Sequence, residues 1–331
     1  MASGRGLART GAFSTRSAVV RKVAPITVLQ QHETEDELLD LKFNCIGYRH
    51  HSWHPTNIQL CNTIEFVTRR LWDGGITRFF SAGVPSDGGY AFIVDDHPMT
   101  IPYLAVRSPV GEGDPSLIRE AVPEVISAMR ERIDDHGCLY MECDETVREA
   151  FMEQLHAGGH GEFDVEYTGE FARFYLDNDQ MAALMEKPTP LPDGFRFSAI
   201  DADTEFQTIH DHWAYGDCEN ALVTRDRLHC LPSIGIRNAE GKLVTWEMSH
   251  NCGTLSNLYT LPEYRSLGLA STTITKIMQK YVKLGLRISN MPSHGNAGGI
   301  SACEKNPLLT RWMKEDGKPM VWTLILFRKK K

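Results

Sequence analysis

The residues whose types and spacing point most directly to chemistry lie in Leu261-Pro-Glu-Tyr-Arg-Ser-Leu-Gly-Leu-Ala270. The core of this stretch is Arg265-x-x-Gly268-x-Ala270. Small residues at 268 and 270 let a ligand come close to the backbone. An amphipathic helix is predicted to begin here, so its unpaired N–H groups and its dipole face whatever docks. That is an anion site, and a pyrophosphate fits it. Other reactive residues form no comparable pattern. The eight cysteines are scattered with no CxxC, so free thiols in a reducing compartment are expected rather than disulfides. His50, His51 and His54 cluster, and His156 and His160 flank Ala-Gly-Gly, but neither group comes with paired cysteines or a helical HExxH. No metal is expected from them.

The elements around the loop give it a setting. Strands are predicted at 233–237, 243–249 and 253–260, with a hairpin at 238–242 between the first two. A helix over 267–283 follows, with Ile274, Ile277, Met278, Tyr281 and Val282 on one face. Upstream lie a strand at 195–200 and helices at 203–213 and 219–229. Downstream come a strand at 287–291, a short helix at 298–305 and a last strand at 321–327. The first half mixes helices (57–72, 115–135, 145–157) with short strands (79–82, 90–94, 101–106, 163–167, 171–176). It is α+β and carries no catalytic motif of its own. Three prolines within 188–194 exclude a helix there and read as a linker.

Three consecutive strands, Pro-x-Tyr-Arg-x-x-Gly and an amphipathic helix together resemble the GNAT superfamily of acyl-CoA N-acyltransferases. Asn296, Gly299 and Cys303 follow the family pattern Asn-x-x-small-x-x-x-Tyr, with Cys303 where tyrosine is usual. Leu231-Pro-Ser-Ile-Gly-Ile-Arg-Asn-Ala-Glu-Gly-Lys-Leu-Val-Thr-Trp246, then Gly253, then Leu-Pro-Glu-Tyr-Arg narrow the resemblance to glycine N-acyltransferase and its glycine N-acyltransferase-like relatives. The likeness is close over about residues 204–296 and weak before that.

The resemblance implies an α+β fold. A GNAT-type mixed central sheet flanked by helices would form the C-terminal half, after a diverged GNAT-like α+β N-terminal domain. It implies acyl transfer from coenzyme A to the amine of glycine or another small amino acid, with acyl-CoA as cosubstrate and no permanently bound cofactor. A GNAT acetyltransferase acting on another amine, or a non-catalytic acyl-CoA-binding relative, are the alternatives. Backbone groups of Leu258, Tyr259 and Thr260 would hold the pantetheine, and the N–H groups of Leu267, Gly268, Leu269 and Ala270 the pyrophosphate. Arg265 would add charge there or lock the loop, and Asn296 would bond the pantetheine arm or cap the helix behind it. The family's proposed catalytic glutamate falls at Thr254, whose hydroxyl is no base at neutral pH. His250, with an ordinary pKa near 6.5, Glu247, and a water ordered by Thr254 and Ser256 remain as routes for the proton. Cys303 would be either the acid that protonates the leaving thiolate or an apolar residue on a helix face. Arg49, Arg69 and Arg70 are available for an acceptor carboxylate, and Trp213 and Tyr215 for the acyl pocket.

Composition sets the outer limits. At 331 residues, 42% hydrophobic and 24% charged, the chain has enough apolar residues for a core of about two domains. Its net charge of -8 argues against general binding of nucleic acid. No apolar run approaches the ~20 residues of a membrane helix. Residues 1–32 hold five Lys or Arg and no acid, among many hydroxyl residues. That composition is expected of a mitochondrial transit peptide. The expected layout is therefore 1–32 transit peptide, 33–187 N-terminal domain, 188–194 linker and 195–331 acyl-CoA-binding domain. A monomeric matrix protein with small-molecule partners is expected.

Overall fold

The computed structural model describes residues 28–46, 55–72, 77–85, 87–107, 113–157 and 163–330. The first half runs β1 (Leu29–His32), α1 (Glu35–Ile46), α2 (Ile58–Thr68), β2 (Thr77–Ala82), β3 (Tyr90–Asp95), β4 (Tyr103–Arg107), α3 (Pro115–Ala128), α4 (Arg130–His136), β5 (Cys138–Asp144), α5 (Glu145–Ala157), β6 (Phe163–Ala172), β7 (Phe174–Tyr175) and α6 (Asn178–Glu186). The second half runs β8 (Arg196–Ser198), α7 (Ala202–Asp211), α8 (Ala221–Cys230), β9 (Ser233–Arg237), β10 (Leu243–Ser249), β11 (Leu255–Thr260), α9 (Leu269–Lys283), β12 (Ser289–Asn290), α10 (Ala297–Glu304), β13 (Thr310–Arg311) and β14 (Val321–Lys329).

The strands of the first half read as unbroken apolar runs because helices cover both faces of their sheet. Leu38, Leu41, Leu60 and Ile64 of α1 and α2 pack on Phe79 and Ile93. On the opposite face, Ile118, Val122, Val147 and Phe151 of α3 and α5 pack on Phe92 and Val106. The seven-stranded order is β1-β2-β3-β4-β5-β14-β6, with β4 and β5 parallel and the other pairs antiparallel.

The last strand corrects the layout expected from sequence. Residues 321–327, placed there with the C-terminal domain, instead run between β5 and β6 of the first sheet. Two antiparallel neighbours satisfy both edges of β14, and its insertion covers the edges that β5 and β6 would otherwise expose. The end of the segment read as leader also takes part in this sheet. Leu29–His32 pairs with Ala82 through Phe79, so a cut after 32 would remove an edge strand of this sheet. Residues 1–27 of that leader lie outside the described residues.

The second sheet, β11-β10-β9-β8, is antiparallel throughout, with α9 lying against β9, β10 and β11. The face predicted for α9 is the one buried: Ile277, Met278 and Tyr281 are fully covered, with Ile274 and Val282 beside them. The strand expected over 287–291 shrinks to β12. It joins β7 and β13 in a small third sheet instead of pairing with β11. A strand of the first half thus sits between two of the second, and β11 is left with an unpaired edge facing β12. In the linker, residues 188–194 form no helix or strand. Together these elements make an α+β fold of the GNAT type, with its parallel pair in the first sheet and a splayed β11–β12 pair in the second half.

Candidate active site

A cavity of about 730 Å³ lies where the two halves meet. Leu255 to Tyr259 of β11, the segment from Asn290 to Ser293, and Asn296, Gly299 and Cys303 form one side. The first half contributes Asp95, Tyr103, Tyr140, Glu142 and Phe171. The segment after α7 adds Trp213 and Tyr215.

Glu247 stands at the centre of this arrangement. β10 and β11 are in register at Trp246↔Tyr259 and again at Met248↔Ser256, so Asn257 and Leu258 together face Glu247. This is a β-bulge. It takes backbone groups out of the ladder and turns them aside, and Asn257 adopts the left-handed φ of 54° that the kink needs. Glu247 is 3% exposed, lines the cavity, and its Oε2 has no hydrogen-bond partner. Burial alone pushes its carboxyl up to about 8.

His250 also lines the cavity, but its ring is committed locally. Its Nδ1 accepts from the Cys252 backbone N–H at 3.2 Å and lies 2.9 Å from Cys252 Sγ. An Nδ1 that accepts puts the imidazole proton on Nε2, so neither nitrogen is free to take another. Burial, with Arg227 nearby, pushes its pKa well below the ordinary value. The turn that holds it needs Gly253: φ is +81°, and a Cβ there would meet the Gln59 carbonyl oxygen at 2.6 Å. Asn62 of α2 fastens the same turn, donating to the Gly253 and Arg287 carbonyls at 2.8 and 2.7 Å. Thr254 and Ser256 face the cavity too, with Thr254 Oγ1 3.4 Å from Cys252 Sγ. Cys303 is 7% exposed and packs with Ala172 and Phe174. Burial pushes its thiol up to about 11, although it bonds Asn290.

The opposite wall is rich in paired charge. Both arms of the Arg227 guanidinium meet Glu219, at 2.5 and 2.7 Å, and its Nε donates to Asn251 Oδ1 at 2.9 Å. Asn251 donates in turn to Asp95. Burial raises the Asp95 carboxyl, against the pull of Arg227. Glu142 accepts from Tyr103 and from Trp322 Nε1, and pairs with Arg107 at 3.0 Å. Burial opposes its charge, yet Arg107, Tyr103 and Arg173 hold its carboxyl below the usual range. These residues were not singled out from sequence. An acid in the middle of an apolar strand, as Glu142 is in 138–144, was the available signal.

From the cavity, β11 runs directly into the loop at 261–268. Gly268 has φ +77°, with nothing within 4 Å of where a Cβ would stand. It precedes α9 without a side-chain cap, so the first N–H groups of the helix stay open to a ligand. Arg265 is turned back: its Nε donates to the Thr260 carbonyl at 3.1 Å, and its guanidinium lies 5.4 Å from the Tyr259 ring centroid. Leu258, Tyr259 and Asn296 line the cavity, while Thr260, Arg265, Leu267, Gly268, Leu269 and Ala270 lie along the strand and loop that lead from it. Asn296 caps α10, its side chain accepting from Gly299 N at 2.9 Å. Arg69 donates to the Leu284 carbonyl at 2.6 Å, and neither it nor Arg70 lines the cavity. Arg49 and the histidines at 50, 51 and 54 lie outside the described residues, as does His160. His156 lies in α5.

The family model described as FR47-like protein matches residues 233–304, from β9 to α10, which holds Glu247, the bulge and the loop. Glycine N-acyltransferase of Pongo abelii is 28% identical over 133 residues, 40% of this chain and 45% of that protein. Over this part of its length the chain is similar to the glycine N-acyltransferases. It spans less than half the length of this relative and of the bovine and human glycine N-acyltransferases it also matches. The fold likeness reaches further than the sequence likeness to these relatives. An X-ray structure of a Drosophila protein superposes with TM-score 0.71 at 13% identity, over 91% of this chain and 98% of that one. A tandem GNAT protein from the clavulanic acid biosynthesis pathway superposes with TM-score 0.50 at 12% identity, over 90% and 98%. Among the described residues, no helix is long and apolar enough to cross a membrane, no group of three or more His, Cys, Asp or Glu could hold a metal ion, and all eight cysteines are free.

Proposed function

We propose that this protein transfers an acyl group from coenzyme A to a primary amine by direct attack on the thioester. The observation that carries the reading is Glu247, a buried carboxyl with an unpartnered oxygen, set against a strand bulge in a cavity whose lining strand, β11, runs on to the loop before the uncapped N-terminus of α9. The unpaired edge of β11 suits an extended arm bearing amides, which binds as an added strand would. The N–H groups at the start of α9 suit its pyrophosphate. Backbone N–H groups freed by the bulge suit the oxygen of the thioester carbonyl as it becomes an oxyanion.

In the reaction, the amine nitrogen bonds to the carbonyl carbon and the carbon–sulfur bond breaks. Glu247 takes the proton that the amine gives up and passes it to the departing sulfur. Its carboxyl, at about 8, is close to the ordinary range of a thiol, so neither transfer is steeply uphill. His250 is a poor base with its Nδ1 engaged, and Cys303, at about 11, is a poor acid for a thiolate. Thr254 and Ser256 can order water beside the reacting amine. The acid-free leader supports import into the mitochondrial matrix, with cleavage before Leu29 because β1 belongs to the fold.

The test is thiol release by the full chain with acetyl-CoA and benzoyl-CoA, with and without a panel of amines and amino acids. Release that depends on an added acceptor and disappears in Glu247→Gln is expected. Silence across the panel with coenzyme A binding intact would refute catalysis and leave a binding protein.

A further inference from the structure

We infer that the acceptor is a cationic amine that carries no carboxylate, rather than an amino acid. This rests on the acyl-transfer reading and specifies its second substrate. Among the described residues, the cavity wall holds four acids, Asp95, Glu142, Glu219 and Glu247, and a single Lys or Arg side chain, Arg227. Arg227 has no vacancy for a second carboxylate. Glu219 closes both arms of its fork, Asn251 takes its Nε, and Trp213 lies 5.6 Å from the guanidinium carbon. Arg107 and Arg173 are fully buried and off the wall: Arg107 pairs with Glu142 at 3.0 Å, and Arg173 donates its Nε to Ser289 at 3.1 Å and feels the charges of Glu142 and Asp144.

Once these pairs are set aside, the acids left on the wall with no Lys or Arg partner are Asp95 and Glu247. Asp95 is 5% exposed, and its oxygens accept only uncharged donors, Asn251 and the His97 N–H. Glu247 has an oxygen with no partner. Tyr140, Phe171, Trp213 and Tyr215 share the wall, and aromatic faces attract an organic cation. An ammonium therefore meets acids and rings. A carboxylate on the same molecule would be stripped of water beside two acids with, among the described residues, no Lys or Arg free to receive it, an arrangement that selects against it.

Amines and the amino acids from which they derive by loss of carbon dioxide provide the test. The full chain with acetyl-CoA would be assayed for kcat/KM with methylamine against glycine, ethanolamine against serine, tyramine against tyrosine and 2-phenylethylamine against phenylalanine. Within the pairs that turn over, the amine is expected to exceed its amino acid by about tenfold or more, the scale of one unfavourable charge contact. Asp95→Asn should narrow that gap and Asp95→Glu restore it. Amino acids used as well as or better than their amines would overturn the inference. Calorimetry of the same pairs in the presence of coenzyme A gives a readout independent of turnover. If no acceptor is acylated, the acyl-transfer reading fails, yet amines binding where amino acids do not would still support the acceptor charge. Equal binding within pairs, or binding by neither member of any pair, would overturn it.

Discussion

Replacing Glu247 by glutamine should remove activity and raise stability together. The carboxyl moves from an ordinary 4.5 to about 8 because it is buried with nothing to stabilise its charge. At about 1.36 kcal/mol per pH unit, ionising it inside the fold costs roughly 5 kcal/mol more than in the unfolded chain. Between pH 4.5 and 8 the folded state holds this proton more tightly than the unfolded state does. The stability linked to it is therefore complete below pH 4.5 and is lost as pH rises through 8. Glutamine cannot ionise, so Glu247→Gln should escape that loss. Its advantage over wild type should grow from pH 6 to pH 9 and reach a few kcal/mol by urea unfolding. Activity should move the other way. A base must be deprotonated, so wild-type kcat/KM should rise with unit slope and level off near pH 8, with only about a tenth of the enzyme active at pH 7. The variant should lose roughly 10²–10⁴-fold in kcat and the rising limb with it. A variant within threefold of wild type, or one whose stability follows pH as the wild type does, would refute the assignment.

Gly268→Asp should abolish retention on immobilised coenzyme A while leaving the circular dichroism unchanged. There is open space at the Cβ position, and the new carboxylate would take the N–H groups meant for phosphate; undiminished binding would refute the loop's role. His250→Ala should lower kcat by less than about tenfold and keep the pH limb near 8, because the ring holds a turn and does not carry the proton. A lost limb would make His250 the base. Trp322→Ala should cost about 3–5 kcal/mol in urea unfolding, since Trp322 is fully buried in β14, lies 4.9 Å from the Arg107 guanidinium carbon and 4.4 Å from that of Arg173, and donates to Glu142. A loss under about 1 kcal/mol would contradict the placement of β14 in the first sheet.

Local order along the chain was enough for the meander, the hairpin, the loop and the amphipathic face of α9. Each depends on neighbours a few residues apart: apolar periodicity, turn residues at 238–242, small residues at 268 and 270. The wall residues of the second half fall in or beside those same elements. Glu247, His250, Thr254 and Cys303 were therefore legible as candidates from spacing and resemblance. What separated them was not legible. The burial that raises Glu247 comes from elements distant in sequence, and Nδ1 of His250 is engaged only because the turn closes on the Cys252 N–H.

The first half was the least legible part, for the same physical reason. Its contribution is made by single residues on separate strands, Asp95 on β3, Tyr103 on β4 and Glu142 on β5, which no sequence interval links. A strand's partner is likewise a tertiary property. Residues 321–327 are apolar enough to be read as a strand, but only the vacancy between β5 and β6 assigns them to the first sheet. The sequence by itself determined the local elements, the glycine-bearing loop before α9 and the set of groups proposed to move a proton. The tertiary structure decided which of them stand unpaired in one cavity, because burial and charge pairing are sums over residues that the chain brings together only by folding.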